Sequence, residues 1–164
     1  LSGFGPEPAQ RALAAFQPWR MFTAAWVHWS ASHLAMNLAG AAALGVLGWA
    51  LVLPKAAEHA WLLAWPLAHV ASLAGSSPAH LGGLSGTLHA GAAVAAVWSL
   101  RLGDGRVRMI GALLAAGLVL KLVWEWLRGP QPMPGTDAVT WPLIHLAGTL
   151  CGAAIAFAMS RRGR

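Results

Sequence analysis

The stretch "LGGLSGTLHAG" (Leu81–Gly91) places a serine between glycines at the start of an apolar run. A serine hydroxyl becomes a nucleophile when a nearby base takes its proton, and a neutral imidazole is the usual base. His145 lies near the start of another apolar run, and His33 and Asn37 lie one helical turn apart in a third. These residue types are the ones that acyl transfer at Ser85 would require, with His145 as the base.

Such a site also needs hydrogen-bond donors for the oxyanion that forms on the attacked carbonyl. Backbone N–H groups, an asparagine amide or a histidine N–H can supply them, which makes His33 and Asn37 the candidate side chains. Gly83 and Gly86 leave room for a substrate backbone next to the serine. If Ser85 opens a helix, the unpaired N–H groups of its first turn add a field that favours an anion.

Each of these residues also has a simpler structural interpretation. A serine between glycines at a helix start is commonly an N-cap, and no strand pattern marks Ser85 as the elbow of a soluble hydrolase. His145 alone fits a buried structural histidine, and the histidine–asparagine pair fits interhelical hydrogen bonding. Gly148 and Gly152 form a GxxxG pattern that predicts close packing of the His145 helix against a neighbour. The functional interpretation rests on the convergence of all these residues.

Composition indicates that the elements that position these residues lie in a membrane. The chain is 57% hydrophobic and only 10% charged, whereas soluble domains have about 25% charged residues. Five apolar stretches approach the roughly 20 residues of a spanning helix; they cover 32–53, 59–75, 84–100, 107–127 and 141–159. The predicted fold is all-α, a polytopic membrane helical bundle in a single domain over 1–164. Residues 1–31 would form a membrane-embedded or interfacial loop segment, and residues 32–160 five transmembrane helices.

The net charge of +6 lies mostly at the ends of the apolar stretches, so it indicates membrane orientation and not nucleic-acid binding. One side would hold Lys55, Arg101, Arg106, Arg108, Arg161, Arg162 and Arg164. The other would hold Arg11, Arg20 and Arg128, with Lys121 within reach by snorkelling. The positive-inside rule then predicts a cytoplasmic C-terminus. The N-terminus would lie outside, and a helix upstream of Leu1 would be needed to bring the chain back.

Helix geometry places the polar residues at one depth. Ser85 and His145 each lie sixteen residues before an arginine at the cytoplasmic end of their stretch, which is roughly 24 Å along a helix. Asn37 lies eighteen residues before a lysine, or about 27 Å. In a hydrocarbon core about 30 Å thick, three helices would bring these groups together just beneath the outer surface. The predicted site therefore opens to the periplasmic side.

The arrangement resembles the rhomboid family of intramembrane serine proteases. The resemblance is carried by "WRMFTAAWVHWSASHLAMN" (Trp19–Asn37), "GGLSG" (Gly82–Gly86) and "HLAGTLCG" (His145–Gly152). It implies a six-helix core whose first helix is missing here, and a Ser85–His145 dyad without an acidic third member. It also implies an oxyanion hole at His33, Asn37 and Gly83, with the Ser85 N–H contributing. No metal and no other cofactor is implied.

One residue departs from the family pattern. Many rhomboids carry a tyrosine four residues after the serine, stacked on the catalytic imidazole, and this chain has His89 there. A helical side chain leans towards the N-terminus, so His89 leans towards Ser85. It either stacks on His145 in place of the tyrosine or acts as the base itself; the resemblance favours His145 as the base.

Two shorter motifs, "SGTLHAG" and "KLVWEW", resemble the rhombosortase branch. This implies a bacterial inner-membrane enzyme that processes exported proteins with a Gly-Gly motif, a C-terminal transmembrane helix and a basic tail. The expected partners are that membrane-anchored substrate and the lipid bilayer, with no nucleic acid. His80, Lys121 and Glu125 are candidate substrate contacts. Lys121 and Glu125 lie one turn apart, so a plain ion pair at a solvated helix end is the alternative.

Two other functions fit parts of the sequence. A b-type cytochrome would use histidines on different helices as haem ligands, with His69, His89 and His145 as candidates, but it leaves the serine–glycine pattern unexplained. A catalytically silent rhomboid relative would bind membrane helices without cleaving them. Such relatives usually lack the serine or the histidine, and this chain has both.

Overall fold

Five long helices account for the five apolar stretches of the sequence. The computed structural model describes residues 18–72, 82–133, 136 and 138–161. A short helix, α1 (Arg20–Thr23), and a 3₁₀ turn (Ala24–Trp26) lead into the long helices. These are α2 (Ala31–Ala50), α3 (Lys55–Ser72), α4 (Ser85–Leu102), α5 (Gly105–Arg128) and α6 (Pro142–Arg161). The predicted loop segment over 1–17 and the predicted substrate contact at His80 lie outside the described residues.

Local sequence explains where two of these helices begin and end. Ser30 precedes α2, and its side chain accepts a hydrogen bond from the backbone N–H of His33. Asp104 precedes α5 and caps it in the same way through the N–H of Val107. Gly129 ends α5 with a φ of 69°, a conformation that glycine adopts without steric cost.

The link between α5 and α6 contains a short antiparallel pair of strands, which the sequence did not indicate. Strand β1 (Gln131–Pro132) pairs with β2 (Val139–Thr140), with Gln131 opposite Thr140. Strands of two residues are too short to show an alternation of apolar and polar residues, so the pairing leaves no pattern to detect. The other elements of the described residues are helices, as predicted.

Helix α4 lies at the centre of the bundle, where it contacts α2, α3, α5 and α6. Its closest approach is to α6. A Cβ on Gly148 would lie 2.1 Å from the carbonyl oxygen of Gly86, and one on Gly152 would lie 2.3 Å from that of Ala90. The two backbones therefore touch, which confirms the close packing predicted from the GxxxG pattern.

The other end of the bundle shows how α4 and α6 are aligned. A core of mainly small side chains from α3, α4 and α6 fills this end; it comprises Ala57, Ala60, Val94, Trp98 and Ala156. The guanidinium groups of Arg101 on α4 and Arg161 on α6 lie 4.3 Å and 4.2 Å from the ring centre of Phe157. The two helices thus run parallel with their ends level, so their N-termini also meet at one level.

The outer faces of the bundle are apolar, as expected for a protein in a membrane. Met36, Trp49 and Leu127 expose 74%, 82% and 80% of their surfaces. Within the described part of the chain, α2, α5 and α6 are long and apolar enough to cross a bilayer. Helix α3 begins with Lys55 and Glu58, and α4 is rich in small and polar residues. The count of five spanning helices and the missing first helix remain predictions.

Candidate active site

Ser85 is the first residue of α4, not its N-cap. The N-cap is Leu84, and no side chain caps the helix start, so the N-cap interpretation of Ser85 is wrong. Gly83, two residues earlier, has a φ of +91°, in the left-handed region that favours glycine. The chain therefore turns sharply just before the serine.

The Ser85 side chain is hydrogen-bonded to His145 across 60 residues of sequence. Its Oγ lies 2.9 Å from Nε2 of His145, a distance at which the hydroxyl donates to the imidazole nitrogen. The His145 side chain is 8% exposed. Gly86 allows this close approach. Its Cα packs against Ile144 and its carbonyl oxygen against Gly148, and these two residues flank His145 on α6.

The other ring nitrogen of His145 has a partner that the sequence analysis did not assign to it. Nδ1 lies 2.7 Å from Oε2 of Glu125, near the outer end of α5. The second carboxylate oxygen, Oε1, pairs with the ammonium of Lys121. The predicted ion pair between Lys121 and Glu125 is therefore confirmed. It does not lie at a solvated end, however, because the Glu125 side chain is only 13% exposed. A dyad without an acidic neighbour, as the resemblance implied, is not what this structure shows.

His89 stacks on His145, in the place predicted from the tyrosine of other rhomboids. The two ring centres are 4.1 Å apart and the planes differ by 12°. Nδ1 of His89 lies 2.7 Å from the carbonyl oxygen of Ser85, so this nitrogen is the donor in that bond. The ring is held flat against His145 and is anchored to the backbone of the serine.

His33 and Asn37 project from α2 towards the turn before the serine. A Cβ built on Gly83 would lie 2.9 Å from Nε2 of His33 and 3.6 Å from Nδ2 of Asn37. The His33 ring stacks on Trp29, with 5.6 Å between ring centres. Asn37 is 5% exposed, and its Nδ2 has no hydrogen-bond partner among the residues that the structure describes. An unpaired buried donor costs roughly 1–3 kcal/mol, which an acceptor entering the site would recover.

The N–H of Gly83 does not have the role in the oxyanion hole that was predicted for this residue. Its N–H already donates to the carbonyl oxygen of Ala24 at 3.0 Å, so it is not free to bind an oxyanion in this conformation. Its lack of a side chain matters more, because a Cβ would lie 2.7 Å from Cε1 of His33. Gly83 therefore ties the 3₁₀ turn to the site and lets α2 approach the serine.

A cavity of about 120 Å³ lies beside these groups. It is lined by Trp29, His33, Asn37, Gly82, Ser85, Met133, Val139, Thr140, Trp141, Ile144 and His145. The site residues of α2, α4 and α6 thus share one cavity, as the depth argument predicted. Val139 and Thr140 of β2 also line it, and their contribution was missed because nothing in the link marks them as site residues.

The histidines are poorly placed for a metal or haem. His89, Glu125 and His145 offer ligand atoms within 4.8 Å of one another. However, the two rings are stacked, so their in-plane lone pairs run side by side and do not converge on an ion. Both ring nitrogens of His145 already have partners, and Nδ1 of His69 is bonded to the carbonyl oxygen of Trp65. His145 could ligate haem through Nε2 only by giving up its bond to Ser85.

Fold and site together define a helical membrane protein with a serine–histidine pair in which the histidine is buried and the serine half-buried. The Rhomboid domain family model matches residues 15–162, nearly the whole chain. The chain therefore belongs to the rhomboid family, whose members are typically intramembrane serine proteases. Comparison with curated proteins and with solved structures found no match.

Proposed function

We propose that this protein is an intramembrane serine endopeptidase with Ser85 as nucleophile and His145 as general base. The observation that carries the proposal is the 2.9 Å bond between Ser85 Oγ and His145 Nε2, beside a cavity. A nucleophile and its base must lie within such reach. His89 is the weaker candidate for the base, because its ring lies flat on His145 and its Nδ1 is bonded to the backbone.

In the first step, Nε2 of His145 takes the hydroxyl proton while Ser85 Oγ attacks the peptide carbonyl carbon. The imidazolium then gives that proton to the amide nitrogen, the C–N bond breaks, and the amine product leaves an acyl-enzyme. In the second step, His145 takes a proton from water, and the hydroxide attacks the ester. The proton returns to Ser85 Oγ as the ester bond breaks, and the carboxylic acid product leaves.

The negative charge that develops on the carbonyl oxygen needs donors that are already in place. Asn37 lines the cavity, and its Nδ2 is buried and lacks a partner in the described structure. The backbone N–H of Ser85 belongs to the first turn of α4, where helix N–H groups have no intrahelical acceptor. These two donors, together with the ring of His33, form the proposed oxyanion hole.

We expect Asn37→Ala to lower kcat by roughly 10²–10³-fold with a smaller change in KM, because the lost donor acts mainly in the transition state. Peptide cleavage by the purified protein in detergent measures both constants. Asn37→Asp is the matched comparison, since it keeps the shape but places acceptors where the amide donates. A fall of similar size in both variants supports the role; a kcat unchanged in Asn37→Ala contradicts it.

The proposed substrate is a membrane-anchored protein with a C-terminal transmembrane helix, cleaved near a Gly-Gly motif. The cavity of about 120 Å³ suits residues with small or absent side chains at the cleavage point. Lys121 is 46% exposed and is a candidate contact for such a substrate. The Gly-Gly preference rests on the resemblance to rhombosortases.

The proposed location is the bacterial inner membrane, with the C-terminus in the cytoplasm. Arg101 and Arg161 lie together at the end of the bundle remote from Ser85, and Arg106 and Arg108 begin the next helix at that end. The positive-inside rule assigns this end to the cytoplasm, so the site faces the periplasmic side.

Covalent labelling tests the proposal without knowledge of the substrate. A fluorophosphonate probe is expected to label wild-type protein at Ser85, because an activated Oγ displaces fluoride from phosphorus. Ser85→Ala and His145→Ala are expected to show no labelling, read by intact mass and peptide mapping. Ser99→Ala, on the same helix, is the control and should label fully. Wild-type protein that folds but resists the probe would count against the protease assignment and favour a catalytically silent relative.

A further inference from the structure

The carboxylate of Glu125 lies where the family resemblance implies no acid. Its Oε2 is 2.7 Å from Nδ1 of His145, and the side chain is only 13% exposed. We infer that Glu125 is a positioning residue that converts the Ser85–His145 pair into a Ser–His–Glu triad. This inference rests on the proposed function and concerns the state of the base.

The reason lies in which ring nitrogen carries the proton. Nε2 of His145 accepts the Ser85 proton only if the neutral ring holds its own proton on Nδ1. An ionised carboxylate can accept hydrogen bonds but not donate them, so Glu125 favours this tautomer and fixes the plane of the ring. The proton on Nδ1 stays there throughout the reaction.

The same bond strengthens during the first step. When Nε2 takes the serine proton the ring becomes an imidazolium, and its Nδ1–H then faces a carboxylate of opposite charge. The bond has an ionised acceptor from the start; it then gains an ionised donor as well, and the two opposite charges attract each other directly. An interaction that is stronger in the transition state than in the ground state accelerates the chemical step. Glu125 should therefore act on the maximal rate and not on binding.

Two further contacts hold the carboxylate and the ring in place. The Lys121 ammonium pairs with Oε1 of Glu125, so each carboxylate oxygen has its own partner. The ring of His89 covers one face of His145. Helices α4, α5 and α6 each supply a part, and together they hold the imidazole in the single orientation that reaches Ser85.

The test is the rate of fluorophosphonate labelling at Ser85 as a function of probe concentration, in the full chain. Glu125→Ala is expected to lower the maximal rate about a hundredfold or more, with the half-saturating concentration unchanged. Glu125→Gln should be at least as slow, because its amide can present N–H to Nδ1 and favour the tautomer with the proton on Nε2. Glu125→Asp should recover part of the rate.

Glu58→Gln supplies the matched control, since Glu58 is an exposed acid on α3 that borders a separate cavity. It should label at the wild-type rate. Apparent unfolding temperatures in detergent identify any variant that fails to fold, and the near-isosteric Glu125→Gln decides the matter if Glu125→Ala is unfolded. A folded Glu125→Gln with the wild-type maximal rate overturns the triad while leaving the protease intact. Wild-type protein without labelling at Ser85 overturns the protease, and the triad with it.

Discussion

Ser85→Ala is expected to reduce cleavage of a membrane-anchored substrate by about 10⁴-fold or more. The substitution removes the proposed nucleophilic oxygen, while a Cβ remains to fill the space beside Gly86 and His145. The measurement is co-expression with a reporter that carries a Gly-Gly motif before a C-terminal transmembrane helix and a basic tail. Cleaved and uncleaved reporter are separated by size and quantified by immunoblot.

Ser99→Ala is the matched control for that experiment. Ser99 is a buried serine of α4, 1% exposed, at the end of the helix remote from the cavity. Its loss should leave cleavage at the wild-type level. Membrane levels of both variants should be close to that of wild type, because the backbone contacts of Gly148 and Gly152 that join α4 and α6 remain when the single Ser85–His145 hydrogen bond is lost. Cleavage that persists in Ser85→Ala at the wild-type rate would rule out Ser85 as the nucleophile.

Gly148→Ala is expected to lower both stability and cleavage, although it adds only one methyl group, about 4.5 Å along α6 from His145. The new Cβ would lie 2.1 Å from the carbonyl oxygen of Gly86, so α4 and α6 must separate by about 1 Å to reach normal contact. Overpacking of this kind costs about 1–3 kcal/mol. A displacement of about 1 Å between reacting groups can lower the rate a hundredfold.

The matched control is Gly117→Ala on α5, where nothing lies within 4 Å of an added Cβ. It should keep wild-type activity and leave the apparent unfolding temperature unchanged or slightly higher, since alanine favours helix over glycine. Unfolding in detergent and the maximal rate of labelling at Ser85 measure the two effects. Equal behaviour of Gly148→Ala and Gly117→Ala would mean that the close approach of α4 and α6 does not position the site.

The level of the site in the bundle was predictable because helix rise is nearly constant. Counting residues from the basic ends placed Ser85, His145 and Asn37 at one depth, and the structure brings all three to one cavity. The GxxxG pattern was informative for a similar reason, since small residues one turn apart leave a groove that only another backbone fills. Both arguments depend on position along a helix, which sequence gives directly.

The sequence did not show how each helix is rotated about its own axis. The same counting puts Glu125 seventeen residues after Arg108, about 26 Å along α5 and therefore at the level of Ser85. It did not show that the carboxylate faces His145, because α5 is exposed on most sides and carries no clear apolar stripe that fixes its rotation. The family pattern of a dyad also gave no reason to look for an acid there.

The N-cap prediction for Ser85 was wrong and the strand pair was not predicted, for different reasons. A serine near glycines matches the residue preferences of an N-cap. In the structure, however, Gly86 packs on Ile144, the helix begins at Ser85, and Leu84 is the N-cap. The strand pair comprises two residues on each side, and its register comes from the positions of α5 and α6. Neither outcome is encoded in a local pattern.

The parallel alignment of α4 and α6 has an electrostatic consequence for the chemistry. The N-termini of α4 and α6, each carrying about half a positive charge, lie at the cavity, whereas the negative C-terminal end of α5 lies near Nδ1 of His145, which Glu125 contacts. The resulting potential favours the oxyanion of a tetrahedral intermediate. The same potential raises the energy of the positive imidazolium that forms together with the oxyanion, unless a negative group lies close by. Glu125 on α5, which runs antiparallel to α4 and α6, supplies that group. The directions of the three helices and the one carboxylate would thus offset the two opposite charges that form in the proposed reaction.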